Sequence, residues 1–356
     1  MDKIKKTAAM ITGLNHRIMD LTQDRLDNLT KPPGSLGKLE ELVKLIAGIT
    51  GKETPTVKNK VVFTVAADHG VTEEGVSAYP KEVTAQMVYN FLRGGAGINV
   101  LAKHYGVRVI VIDMGVAEKI KAKKAQFKNF KDIKINYGTK NMAKGPAMTR
   151  LEAIKSIEAG IDIFKKERIR GIDIIGTGEM GIGNTTSSSA IASVITASLV
   201  EDVTGKGTGI SDAALLNKIK VIKAAIDVNK PNPDDAIDVL AKVGGFEIGG
   251  LTGIILAAAA AKTPVVIDGF ISSTAALLAF CIQPKVKEYL VASHASVEKG
   301  HKIILDYIGL KPLLDLSLRL GEGTGAVLGI NIAEAALKIL SQMATFKAAN
   351  VSEKIK

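Results

Sequence analysis

The sequence predicts an α/β protein: a doubly wound, mainly parallel sheet with helices on both faces, plus a smaller helical domain from the N- and C-terminal segments. Three observations predict it. Short, continuously apolar, β-branched runs recur through the middle of the chain, the pattern of strands buried on both faces. Helix-like stretches separate them, as parallel strands require of their crossovers. Every run ends in an acid, a glycine or a Ser-His pair, so the polar turns converge on the rim where open parallel sheets bind ligands.

Residues 14–30 and 35–50 predict amphipathic helices split by the breaker Lys31-Pro32-Pro33-Gly34. They belong to a helical region, residues 1–55, expected to form part of the small domain. The large domain is expected over 56–295. Its first strand, Val61–Val65, runs into Ala66-Ala67-Asp68-His69-Gly70. Pro80–Arg93 predicts a helix, with proline in its first turn and Gly94-Gly95 as its stop. Further strands are Val107–Ile112 before Asp113, Ile172–Ile175 before Gly176, Val265–Ile267 before Asp268-Gly269, and Tyr289–Ala292 before Ser293-His294. Residues 296–356 read as mostly helical, including a helix from Ala326 to about Met343; they complete the small domain and bring Glu322 to the rim. No internal repeat or low-complexity tract interrupts this order.

At 356 residues with 46% apolar content, the chain can bury a large core. Lys+Arg of 47 against Asp+Glu of 36 gives a net charge of +11. The excess is lysine, scattered over helices and concentrated in Lys119–Lys134, and only 4% of residues are aromatic. Nucleic-acid sites pair basic clusters with stacking aromatics. No nucleic-acid partner is expected; the charge reads as a solvated surface with a few cations kept for phosphate. The single cysteine, Cys281, lies in an apolar helical run, which excludes a disulfide framework and suits a reducing, cytoplasmic setting. Met1–Lys6 is basic without an apolar run behind it, and Ile248–Ala261 is too short to span a bilayer, so a soluble protein without membrane insertion is expected.

Chemistry concentrates in the Gly-rich turns. Gly176–Thr186 offers bare N–H groups, hydroxyls and a following helix, Ser187–Val200, which together make a phosphate cradle. It also satisfies G-x-G-x-x-G, with Glu201 twenty residues past Gly181, so a nicotinamide-dinucleotide oxidoreductase is a competing reading. A nucleotide-binding module without chemistry is a third. Thr204–Gly209 is a second Gly-rich turn, before Asp212 and Lys218, without Walker spacing. Asp68-His69 invites a metal or a proton relay, but the other histidines show no ligand spacing with it, and no metal is expected. No G-x-S-x-G elbow is present. Leu320-Gly321-Glu322-Gly323-Thr324-Gly325 sets one carboxylate between glycines before an apolar helix. Such an acid is either a cap or a base aimed into a pocket. The candidate chemistry therefore rests on Glu179 and Glu322.

Taken together, Lys31-Pro-Pro-Gly-Ser-Leu-Gly37, Ala67-Asp-His-Gly-Val71, Gly176–Thr186, Val266-Ile-Asp-Gly-Phe270 and Leu320-Gly-Glu-Gly-Thr-Gly325 resemble the nicotinate-nucleotide–dimethylbenzimidazole phosphoribosyltransferase family. The resemblance runs in order from residue 31 to 325. It implies that nicotinate mononucleotide and a benzimidazole-type base give α-ribazole 5′-phosphate and nicotinate, in building the lower ligand of cobamides. It implies a homodimer with a doubly wound large domain and a small helical domain, and no cofactor. Glu322 is then the general base and Glu179 the second active-site acid. Met180 and Leu320 match apolar contacts to the base; Met180 departs from the family if leucine is usual there. Ser77, Tyr79 and Gln86 fall in the base-pocket segment. Gly181, Asn184, Thr185, Gly207, Lys218, Asp268 and Ser296 fall in segments that hold the ribose phosphate or nicotinate.

Overall fold

Side-chain alternation decides the architecture. Along β1 (Lys60–Ala67), Val61, Phe63, Val65 and Ala67 enter one buried cluster, while Val62 and Ala66 enter a second on the opposite face. Along β2 (Arg108–Gly115), Ile110, Ile112 and Met114 join the first and Val111 the second. Both faces are therefore covered, as parallel sheets require. The computed structural model describes residues 1–121 and 127–352; within the lysine-rich stretch Lys119–Lys134, residues 122–126 lie outside the described residues.

With β3 (Phe130–Asp132), β4 (Ile174–Met180), β5 (Val265–Ile267) and β6 (Leu290–Ala292), these strands form one sheet in the order β3-β2-β1-β4-β5-β6, every pairing parallel. This is the doubly wound order, which reverses between the paired strands β1 and β4, and ligands bind beyond the carboxyl ends of the strands at that point. Val65 stands opposite Glu179 across that junction. A two-stranded parallel sheet, β7 (His294–Ser296) and β8 (Leu314–Leu318), extends the rim.

The helices divide between the faces in chain order. α1 (Asp2–Ala9) packs into the first cluster through Ile4. α2 (His16–Asp27), α3 (Lys38–Thr50), α4 (Val83–Arg93) and α5 (Gly97–His104) pack into the second. The chain then returns to the first face. It contributes α6 (Arg150–Arg168), α7 (Asn184–Thr196), α8 (Val200–Val203), α9 (Asp212–Asn229) and α10 (Ala236–Val243). α11 (Phe246–Ala260), α12 (Phe270–Ile282) and α13 (Lys299–Ile308) follow. α14 (Thr324–Gln342) crosses back to the second face, and α15 (Phe346–Ala349) follows it. Among the described residues α14 alone has the length and apolarity of a membrane span, yet Ala326, Val327, Ile330 and Ala333 are buried in the sheet-side cluster.

Several boundaries differ from expectation for physical reasons. The first two expected helices are shorter, because Lys31–Gly37 is a structured turn with Gly34 and Gly37 at positive φ. The helix expected from Pro80 starts at Val83. The strand expected to stop before Gly176 continues to Met180, so Gly176, Gly178 and Glu179 are sheet residues rather than loop. A Cβ on Gly178 would overlap the Glu322 backbone, so the glycine marks a close approach inside a strand. The following helix begins at Asn184 and ends at Thr196, where Ala197 takes φ 54°. β3 and β8 are short and weakly patterned, and periodicity gives no sign of either.

The α6–α11 contact is built on glycine: a Cβ on Gly160 would overlap the Gly250 carbonyl, and one on Gly253 the Ile157 carbonyl. Helix propensity alone predicts that Gly160→Ala gains about 1 kcal/mol. The overlap decides otherwise. The expected result is a loss of about 1–3 kcal/mol, read as a lower urea midpoint; a raised midpoint would refute this packing argument.

Candidate active site

A cavity of about 440 Å³ opens at the carboxyl ends of the strands, between Glu179 and Glu322. Glu322 is placed by its backbone. Gly321, Glu322 and Gly323 all have positive φ (83°, 64° and 103°). A non-glycine residue there costs on the order of 1–3 kcal/mol, so the surroundings must fix it. Thr64 on β1 donates its hydroxyl to the Glu322 carbonyl at 2.9 Å. The Gly323 and Ala326 amides donate to Asp268 at 3.2 and 3.0 Å. Asp268 thus caps α14 and fastens the whole turn to the end of β5. One Glu322 carboxylate oxygen accepts the Ile98 amide at 3.0 Å, in the first turn of α5. Burial raises the Glu322 pKa, and this amide opposes the rise.

Glu179 lies in a different environment. Its carboxyl is buried and takes a hydrogen bond from the Asn184 amide. Burial, followed by the nearby charges of Asp268 and Glu247, pushes it up to about 8. Asp268 is pushed by burial to about 7, against the pull of its backbone amides. Two carboxyls thus face one cavity, both pushed upward by burial and each opposed by one hydrogen bond, from Asn184 to Glu179 and from the Ile98 amide to Glu322.

Polar lining comes from Thr185, Gly207, Thr208, His294, Ser296, Glu298 and Arg319. Lys218 is buried just behind it, its ammonium donating to the Thr185 hydroxyl at 2.7 Å. Burial pushes Lys218 down to about 8, and the Glu298 charge acts against this. Glu298 accepts the Gly207 amide at 2.9 Å, and a Cβ on Gly205 would overlap its carboxylate. Apolar lining comes from Tyr79, Val83, Met87, Met180, Ile182, Phe270, Ile271 and Leu320.

Of the residues expected from sequence, Glu179, Glu322, Tyr79, Met180, Leu320, Gly181, Asn184, Thr185, Gly207 and Ser296 line this one cavity. Four do not. Gln86 is exposed on α4, and the cavity is met instead by Val83 and Met87, one turn apart on the neighbouring face. Ser77 stands at the edge, 3.4 Å from the Thr208 hydroxyl. Lys218 acts from the layer behind, and Asp268 spends its carboxylate on the Glu322 turn. Val83, Met87, Thr208, Glu298 and Arg319 escape a reading of the sequence, which places His294 at the rim only as part of a strand-end pair; among those missed, only the i, i+4 apolar pair on α4 carries a usable signal.

The dinucleotide reading loses its basis here. Gly176 and Gly178 are strand residues whose missing Cβ space is filled by Val62, Ala326 and the Glu322 backbone, not held open for a pyrophosphate. Glu201 sits on α8 paired with Lys223 and does not line the cavity. Cys281 is pushed by burial to about 11, unsuited to a nucleophile. Among the described residues no group of three or more His, Cys, Asp or Glu is arranged to hold a metal ion. His69 is buried between Ser187 (Nδ1 to Oγ, 3.0 Å) and Glu247 (Nε2 to Oε1, 2.7 Å).

Comparison with known proteins agrees over the whole chain. A family model described as a phosphoribosyltransferase, DBI_PRT, matches residues 11–351. A relative in Desulforudis audaxviator named nicotinate-nucleotide–dimethylbenzimidazole phosphoribosyltransferase is 54% identical over 353 residues, covering 99% of each chain. One of the same name in Geobacter sulfurreducens is 53% identical over 359 residues, covering 99% of each. The crystal structure of CobT from Thermus thermophilus superimposes with a TM-score of 0.90 at 41% identity, covering 95% of this chain and 100% of that one.

Folded Glu179 holds its proton to about pH 8, against an ordinary 4.5. The folded state therefore binds more protons than the unfolded one between those values, and stability declines as pH rises across that window. Glu179→Gln removes this slope. Its melting-temperature advantage over wild type is expected to widen from pH 5 to pH 8; an offset constant with pH would contradict the assignment.

Proposed function

Because the chain belongs to the nicotinate-nucleotide–dimethylbenzimidazole phosphoribosyltransferase family, we propose that it moves the 5-phosphoribosyl group of nicotinate mononucleotide onto 5,6-dimethylbenzimidazole or a related base. The products are α-ribazole 5′-phosphate and nicotinate, for cobamide assembly. The observation that carries this reading is the Glu322 carboxylate. It is held by a positive-φ backbone and the Ile98 amide at the wall of an apolar cavity that also holds a phosphate-type lining.

The chemistry is one displacement. A lone pair on the unprotonated ring nitrogen of the base bonds to the anomeric carbon. The bond to nicotinate breaks, and its electron pair neutralises the pyridinium nitrogen. The incoming imidazole ring gains positive charge, which it sheds by giving its N–H proton to Glu322. Attack opposite the leaving group turns a β-linkage into an α-linkage without an enzyme nucleophile. Holding both reactants in line supplies much of the remaining acceleration. Glu179, protonated up to about pH 8, adds no charge against the phosphate and carboxylate of the nucleotide. Lys218 with Thr185, Gly207 and Ser296 suits the phosphate; Tyr79, Val83, Met87, Met180 and Leu320 suit a flat aromatic base. A homodimer, a cytoplasmic setting and a small domain from residues 1–55 and 296–356 belong to the same proposal; light scattering tests the first.

Glu322→Gln is expected to bind nicotinate mononucleotide within about twofold of wild type in calorimetry, yet to lose turnover by about 10²–10⁴-fold. Full turnover would sink the base assignment. Nicotinate release by wild type, with an α-anomeric product by NMR, tests the reaction itself. The pH profile follows from the same groups. Above about pH 8 Lys218 loses its charge and Glu179 gains one, so kcat/KM falls on the alkaline side with a midpoint near 8. A kcat/KM still rising at pH 9 would contradict both roles.

A further inference from the structure

The buried pair His69–Glu247 lies outside the cavity lining, and the displacement chemistry leaves it without a task. Its construction is specific. His69 leaves the end of β1, the strand that also holds the Glu322 carbonyl through Thr64. Its two ring nitrogens bridge the first turn of α7, at Ser187, and the first turn of α11, at Glu247. Both side chains of the pair are fully buried. Glycines lie close to the side chain: a Cβ on Gly245 would overlap the ring at Cε1, while one on Gly181 would come to 3.4 Å of Cδ2 and one on Gly183 to 3.4 Å of Cβ. Two of these glycines belong to the turn between Glu179 and Asn184. The imidazole is therefore the floor of that turn.

We propose that His69 and Glu247 form a positioning unit that locks the Met180–Asn184 turn, and through it Glu179 and Asn184, in the geometry used for phosphoribosyl transfer; this rests on the transfer reading given above. A buried, hydrogen-bonded carboxylate is weak evidence of stability gain, since desolvation offsets much of the attraction. A pair kept where Gly245 must leave room for both partners serves placement better than cohesion. The second oxygen of Glu247 is buried without a partner among the described residues, and the Glu247 charge is among those that raise Glu179. Groups facing Glu179 are Asp268 from the end of β5, Glu247 from α11, Asn184 from α7 and Glu322 from the turn before α14. Glu247 is the one of these that neither lines the cavity nor holds the Glu322 turn.

The test uses Glu247→Gln, which keeps a hydrogen-bond acceptor of the same shape and removes the charge. Carboxyl ¹³C NMR, with the Glu179 signal assigned from Glu179→Gln, is expected to show Glu179 titrating at lower pH in the variant. The alkaline limb of kcat/KM is expected to move down with it, and kcat to fall about tenfold or more. An unmoved Glu179 titration with only a lowered melting temperature would reduce the pair to a structural role and overturn the proposal. Ser187→Ala, which removes the other hydrogen bond without uncovering a charge, is expected to lower kcat several-fold with little change in melting temperature; unchanged kcat would also overturn it. If wild type released no nicotinate, the transfer reading would fail on its own, while the NMR titration would still report on the pair.

Discussion

The bond between the Asp268 carboxylate and the start of α14 holds the site together. Asp268 ends β5, and its two oxygens take the amides of Gly323 and Ala326. A carboxylate at a helix N-terminus is favoured by the orphan N–H groups and the dipole. Here the same contact fixes a turn whose central residue has an unfavourable backbone conformation. Thr64 holds that turn from β1 and Gly178 makes room for it on β4, so three neighbouring strands fix one glutamate. The sheet is thus a jig for Glu322 as well as a core.

Electrostatics at the rim runs against the composition. The chain carries a charge of +11, yet Glu179, Glu247, Asp268 and Glu322 gather at the cavity end of the sheet. Crowding four buried acids cannot leave all of them ionised. Glu322 has an amide at its carboxylate, Asp268 has backbone amides, and Glu179 keeps its proton. The cations of the cavity, Lys218 and Arg319, stand on the side of Thr185 and Gly207. Opposite demands of the proposed reaction, a proton acceptor and an anion holder, are met within one cavity of about 440 Å³.

How much of this is legible in the sequence depends on whether a residue's role is local. Val61–Val65 and Val265–Ile267 are readable because apolar β-branched runs need no partner to identify them. The turn at Glu322 is readable because glycine on both sides of an acid is a local oddity. The end of β4 is not, since Gly-Thr-Gly-Glu looks like a turn until the backbone of a turn about 140 residues later occupies the space of the missing Cβ. Asp268 stands out as a polar strand end, but its partners lie more than fifty residues away. Met87 hides beside Gln86 because a helix face is known only once the helix is docked. Glu247 opens an apolar helix, and nothing nearby marks it.

One bridge at the edge of the fold bears on how the site comes into being. Leu29 pairs with Thr345, and the Thr30 amide donates to the Ala344 carbonyl at 3.0 Å. These contacts join the first helical segment to the stretch after α14, across almost the whole chain. Part of the apolar face of α3 therefore stays uncovered until α14 is made. Closing so long a loop is slow, and exposed apolar surface invites association in the interval. On a ribosome Glu322 and α14 emerge together, after every strand of the large sheet. Nascent chains would stay inert until the moment they can also shield themselves, so activity and protection from aggregation arrive as one event.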